Sequence, residues 1–264
     1  MTFDHLGEAA DLQAGILPPD TPRGHHPSVS RDLPRILDLL ADRDITTTFY
    51  VEALNCELYP DALRSIAAAG HSLGWHGWWN EPTYRLSPQE ASATMARTLA
   101  AYDALGLRLA SARPPGGLLG GHPLGRYLDA GFGHLSFAGR NYGLVDGVPL
   151  LPFPWQNVDG CYYFAQFAAL RVPPGREPVG PRGLLRAHLA HIDQTVDAGG
   201  CTSFVFHVPW TDTPERVEVI GELLDRLAGD PRVWCASPDE VARWMADHPA
   251  DVPAVRHQDE PPAW

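Results

Sequence analysis

Short apolar, β-branched or aromatic runs alternate along the chain with segments whose apolar positions recur at helical spacing. Leu33 to Leu40 has that spacing, with Ser30 read as its N-cap. TTTFYV (Thr46 to Val51) reads as a strand. Pro60 opens the helix DALRSIAAAG, which Gly70 closes, and the short SLGW run that follows reads as a second strand. Ser87 to Leu105 is a helix that starts on a capping-box pattern, SPQE, and stops at Gly106. Cys201 to Phe206 (CTSFVF) is a late buried strand. Pro214 to Leu227 and Pro238 to Met245 are the last two helices, with VWCAS (Val233 to Ser237) between them as a strand. Arg171 to Gly183 is rich in Pro and Gly and reads as a long surface loop. No internal repeat is visible. Strand–helix alternation at this spacing predicts an α/β fold, a mostly parallel sheet with helices outside and chemistry at the carboxyl ends of its strands.

Length and composition narrow the picture. The 264 residues fit one α/β barrel better than two packed domains, and 44% hydrophobic residues argue for a globular chain. A domain over residues 1–247 and a polar, proline-rich C-terminal tail over 248–264 are expected, the tail loosely held. The net charge of −12 argues against a nucleic-acid partner. No apolar run is long enough to cross a bilayer, and the start MTFDHLGEAADL lacks a basic region followed by an apolar one; a cytoplasmic location is expected. All 20 basic residues are Arg, which excludes Schiff-base lysine chemistry and a phosphate-loop lysine. Four scattered cysteines without a C-x-x-C pair read as free thiols.

Five segments carry candidate chemistry. Asp4, His5 and Glu8 follow a very short apolar start; an acid at a strand end can act as a general base, although an isolated Asp is more often a solvated loop residue. GHSLGWHGWWNE (Gly70 to Glu81) places His76 beyond a strand, beside Trp78, Trp79, Asn80 and Glu81, where core packing competes with a pocket wall. In ARPPGG, Arg113 precedes a rigid Pro-Pro and a flexible Gly-Gly. That arrangement suits a guanidinium aimed at a carboxylate, or an ordinary surface turn. PFPWQNVDGCYYF carries Trp155 and Asp159. FVFHVPW ends an apolar strand on His207, a general-acid candidate at even odds with a structural histidine.

Taken in order, Asp near the start, G-H-x-x-G-x-H-G, R-P-P-x-G, an aromatic-Asp segment and a strand-ending His resemble the polysaccharide deacetylases, the NodB-like superfamily of carbohydrate esterase family four. TTTFYVEALNCELYPDALRSIAAAGHSLGWHGW and ARPPGG are especially similar to that family. The C-terminal run from FVFHVPW to EVARW is similar to the branch holding metal-independent allantoinases and cytoplasmic peptidoglycan-deacetylase relatives. The resemblance covers roughly residues 1–247 and implies a distorted (β/α) barrel of the NodB type.

The resemblance also implies roles. The family's T-F-D-D motif supplies a catalytic base and then a metal ligand. Here it reads Thr2-Phe3-Asp4-His5, so Asp4 matches the base and His5 replaces the ligand. The family's H-x-x-x-H supplies two more ligands; here His76 matches the first and Asn80 replaces the second. Arg113 matches the arginine that orients the base. Asp159 falls near the segment that orients the catalytic histidine, and His207 matches that histidine, the acid for the leaving group. With His5 and His76 as the remaining metal-binding candidates, zinc would meet a degraded ligand set, and no cofactor is expected. The resemblance implies a hydrolase of a non-peptide C–N bond in a small molecule. Trp78, Asn80, Glu81, Trp155 and Asp159 are its expected substrate-binding residues. The alternatives are a non-hydrolytic acid–base enzyme (an isomerase, cyclase or lyase of specialised metabolism) and a non-catalytic binding homologue. A homo-oligomer is expected by analogy with the allantoinase branch, and no membrane partner.

Overall fold

In a computed structural model, which describes residues 1–18, 20–119 and 124–256, eight strands form one sheet. They are β1 (Thr2–Asp4), β2 (Thr48–Val51), β3 (Ser72–Trp75), β4 (Leu109–Ala112), β5 (His134–Leu135), β6 (Gly143–Val145), β7 (Val148–Leu150) and β8 (Val205–His207). The helices are α1 (Ala9–Gln13), α2 (Leu33–Ala41), α3 (Asn55–Leu58), α4 (Pro60–Ala68), α5 (Pro88–Ala104), α6 (Gly125–Asp129), α7 (Gly160–Tyr163), α8 (Gly180–Ala198), α9 (Pro214–Gly229) and α10 (Pro238–Asp247). The strand order is β6-β7-β5-β4-β3-β2-β1-β8. Every pairing is parallel except β6–β7. That hairpin turns on Asp146-Gly147, both at positive φ (49° and 81°), the two-residue turn that suits strand twist.

The expected distorted (β/α) barrel is what forms, and one side chain shows why the sheet must curl. Arg113, at the end of β4, hydrogen-bonds Thr2 and Asp4 of β1. Two strands lie between β4 and β1, a flat separation of about 14 Å at ~4.8 Å per strand, beyond an arginine's reach. The chain after β7 extends the curl. Leu151 and Phe153 N–H groups donate to Leu135 and Phe137 carbonyls, and Asp159 N–H then donates to Val205 of β8.

Strand residues alternate across this curved sheet. Phe3, Phe49, Leu73, Ala112, Leu135 and Phe206 bury one face under the helices, with Phe3 stacked on Phe49 at 5.1 Å. The concave face is polar yet almost dry: Thr2, Asp4, Tyr50, Ser111, Arg113 and Ser136 are all buried. Its base is closed by the start of α10, where Asp239 meets Ser72 and, at 3.3 Å, His134. Gly74 is the gap that makes the layer possible. A Cβ there would lie 2.4 Å from the Tyr50 ring, on whose face the Arg113 guanidinium rests at 4.0 Å.

Most expected helices form. Ser87 and Ser237 head α5 and α10 with reciprocal capping boxes through Glu90 and Glu240. Several sequence expectations need correction. Ser30 does not cap α2, because residues 28–32 already form a wide helical turn and Ser30 Oγ–H donates back to His26 O. Val233 to Ser237 finds no ladder: Val233 and Cys235 pack on the core while Trp234 is exposed, so β propensity has no neighbouring strand to pair with. Of Cys201 to Phe206 only Val205 and Phe206 are in β8, which continues to His207. The loop expected over Arg171 to Gly183 yields at Gly180 to the 19-residue α8. The start of the tail is held: Leu144 N–H donates to Pro253 O, Val255 N–H to Leu144 O, and Val252 is buried. Residues 257–264 lie outside the described residues. No helix among the described residues is long and apolar enough to cross a membrane.

Three measurements check this packing. Gly74→Ala is expected to destabilise by about 2–3 kcal/mol in urea unfolding, because Tyr50 must move off its site. Arg113→Ala is expected to cost about 3–5 kcal/mol, since it leaves Asp4 buried without its partner. The third concerns His188 of α8, buried among Tyr162, Phe204 and Phe206 with neither ring nitrogen hydrogen-bonded. Burial, with His191 adding, holds its pKa down to about 3. The unfolded chain therefore takes up a proton near pH 6.5 that the folded chain refuses. Stability contributed here is full above about pH 6.5 and falls as the pH drops toward 3; His188→Phe is expected to flatten that fall in unfolding midpoints measured across this range.

Candidate active site

The carboxyl ends of β1, β2, β3, β4 and β8 converge at one mouth. Asp4 and His207 are register partners on adjacent strands. Their side chains therefore start about 4.8 Å apart. Each is held by a charged partner from elsewhere in the chain. Arg113 Nη1 donates to Asp4 Oδ1 at 2.5 Å and to Thr2 Oγ1 at 2.9 Å, while its Nη2 donates to Ser136 Oγ at 2.9 Å. The Phe153 ring adds a second aromatic contact at 4.8 Å. Arg113 is 1% exposed, so its guanidinium lies on the Asp4 carboxylate inside the fold and not in a surface turn.

His207 is fixed in a complementary way. Its Nδ1–H donates to Asp159 Oδ1 at 2.6 Å and its backbone N–H to Asp159 Oδ2 at 2.8 Å. Gly160 N–H also donates to Asp159, which is wholly buried. These bonds leave His207 Nε2 as the nitrogen that can exchange a proton. The indole of Trp210, half-buried, lies against the His207 ring at 3.8 Å between centroids.

Beside this pair lies a second group of donors. His5, at φ +63°, turns out of β1 and pairs through Nδ1 with Glu52, the residue after β2. Glu52 also accepts from Leu6 N–H at 3.2 Å and is fully buried. His76 follows β3, and its Nδ1–H donates to the Arg113 carbonyl at 2.8 Å, leaving the Nε2 lone pair free to bind. The ring centroids of His5 and His76 are 4.9 Å apart, and those of His5 and His207 are also 4.9 Å apart. Burial opposes a charge on His5. The Glu52 carboxylate outweighs it by charge and hydrogen bond, with Asp4 and Asp159 adding, so the His5 pKa is raised. Burial, helped by His5, holds His76 down to about 3, so it is neutral at pH 7.

His5, Glu52 and His76 each offer a ligand atom, all within 4.8 Å of one another. Two imidazoles and one carboxylate are the donor chemistry of many zinc sites, so these residues fit a divalent cation. Glu52 was missed by sequence reasoning. The signal was an acidic residue directly after the apolar run TTTFYV, at the same strand end as the other candidates.

The remaining candidates lie on the segments that follow β1, β3 and β7. Glu81 accepts the N–H groups of Trp78 and Trp79 at 2.9–3.0 Å, which pins the loop after His76. Trp78 is buried with Arg97 stacked 3.3 Å over its ring. Asn80, half-buried, takes a left-handed φ of 73° in that loop. Trp155 lies in a short helical turn edge-on to Phe153. Glu8 is buried away from this group, accepting from Tyr59 OH at 2.7 Å and Gly24 N–H at 2.9 Å.

Residues 21–132 match the family model of the polysaccharide deacetylases. No curated protein matches the sequence. Among solved structures, a Mycobacterium smegmatis protein assigned to the polysaccharide deacetylases superposes with a TM-score of 0.82 at 20% identity, covering 98% of this chain and 93% of that one. Puue allantoinase gives a TM-score of 0.71 at 16% identity, covering 94% and 90%. The family 4 carbohydrate esterase from Streptomyces lividans, solved with acetate, gives 0.54 at 15%, covering 89% and 88%. The match over residues 21–132 and a fold shared along nearly the whole length make the chain similar to the polysaccharide deacetylases, with the distorted barrel those structures have.

Proposed function

We propose that the protein hydrolyses a non-peptide C–N bond in a small molecule, with Asp4 as general base and His207 as general acid. The observation that carries this reading is the pairing of Asp4–Arg113 with His207–Asp159 on adjacent strand ends. A guanidinium holds the carboxylate aimed, and an imidazole held through Nδ1 presents Nε2 outward. In the proposed reaction Asp4 takes a proton from water as its oxygen adds to the carbonyl carbon. His207 then gives a proton to the nitrogen as the C–N bond breaks, yielding a carboxylic acid and an amine. A divalent cation on His5, Glu52 and His76 would, when bound, polarise the carbonyl as a Lewis acid. Arg113 and Asp159 act as positioning residues. Half-buried Trp210 beside His207 supports a small, partly apolar or planar substrate.

The fold relatives include proteins named as a carbohydrate esterase and as an allantoinase, so N-acetylated sugars and cyclic ureides make the first substrate panel. Asp4→Asn and His207→Ala are each expected to lower kcat by ~100- to 10,000-fold with unchanged circular dichroism. The double variant is expected to lose little more than the worse single one, because the two groups act as a unit. Near-wild-type turnover by His207→Ala on the best substrate would remove it from the acid role.

A further inference from the structure

The family pattern takes its metal carboxylate from β1 and two imidazoles from the loop after β3. Here β1 offers His5 in place of that carboxylate, and the loop offers His76 and Asn80. The two substitutions alone remove one carboxylate and one of the loop imidazoles. The fold restores both kinds of donor by another route: His5 supplies an imidazole from β1, and Glu52, fully buried at the end of β2, supplies the carboxylate.

We infer that Glu52 is a metal ligand that takes over the carboxylate position of this fold, so that His5, Glu52 and His76 together bind one divalent cation. Three observations support it. The donor atoms of all three side chains lie within 4.8 Å of one another. His76 commits Nδ1–H to the Arg113 carbonyl, so its free lone pair is on Nε2, the arrangement that ligating histidines show. The third is charge: the buried carboxyl groups of Asp4, Glu52 and Asp159 gather around this mouth with the buried guanidinium of Arg113, surroundings that favour a cation. The donor set of nitrogen and carboxylate oxygen suits zinc or a neighbouring first-row ion better than calcium or magnesium. This goes beyond the hydrolytic reading and does not depend on it, since a cation could sit here in a protein that only binds its ligand.

The test reads metal binding rather than turnover. The full chain is stripped with a chelator and titrated with zinc(II) by calorimetry and with cobalt(II) by visible absorption. One cation per chain is expected, with a cobalt spectrum of low coordination number. Glu52→Gln is expected to lower affinity by about 100-fold or more, above what loss of an outer hydrogen-bonding partner usually costs, and to change the cobalt spectrum. Asn80→Ala is expected to change neither. Glu52→Asp keeps the carboxylate and is expected to recover a cobalt spectrum, which separates a lost ligand from a lost fold. Wild-type protein that takes up no more cation than a His5→Ala/His76→Ala variant would overturn the inference. So would a cobalt spectrum that Glu52→Gln leaves unchanged, which would make Glu52 a partner of His5 alone.

Discussion

The ion pair between Asp4 and Arg113 governs the architecture of this molecule. A carboxylate and a guanidinium, both nearly dry, can be kept inside a fold only if almost every hydrogen-bonding group on them is satisfied. Thr2 and Ser136 provide the remaining polar contacts, and Tyr50 and Phe153 provide aromatic faces. Those partners come from β1, β2, the end of β5 and the segment beyond β7, so satisfying one arginine draws the strands into a curl. Gly74 lets Tyr50 lie flat across β3 beneath the guanidinium. Parallel sheets covered on both faces usually carry apolar residues on both. This one departs from the rule on its concave face, and the departure points to the mouth where the candidate chemistry lies.

The same logic explains the spacing of the charged groups around the mouth. Arg113 holds Asp4 from one side and Asp159 holds His207 from the other, so the two candidate proton carriers are neighbours without being each other's ion-pair partner. His5 stands between His207 and His76, and its pairing with Glu52 keeps it from competing for Asp4. A site with one base, one acid and a separate cluster of donors can divide proton transfer from carbonyl activation.

Much of this was legible in the sequence where local rules act. Helix starts such as Ser87 and Pro238, and strands such as SLGW, depend on neighbours within a few residues. Asp4, His76, Arg113, Asp159 and His207 could be placed because they close or follow apolar runs in a recognisable order. What escaped depended on distant partners. Val233 to Ser237 has strand composition and no strand beside it. α8 begins inside a Pro/Gly-rich stretch that reads as loop, although Gly180 and Pro181 only start it. Glu52 looked like one more polar residue after a strand; its meaning comes from His5 turning toward it at positive φ, which no spacing rule encodes. The aromatic residues divide in a way that spacing does not encode: Trp78 is packed against Arg97, while Trp210 lies on the acid candidate.

The central claim is that Asp4 and His207 move protons for a hydrolysis, so that water enters the product. It is tested most directly by running the substrate panel in water enriched in the heavy oxygen isotope and weighing the products by mass spectrometry. The expected result is one solvent oxygen in the newly formed acid, at a yield that falls to background with Asp4→Asn. A product formed without solvent oxygen, whether isomer or elimination product, would contradict it, and the same mouth would then belong to a non-hydrolytic acid–base enzyme.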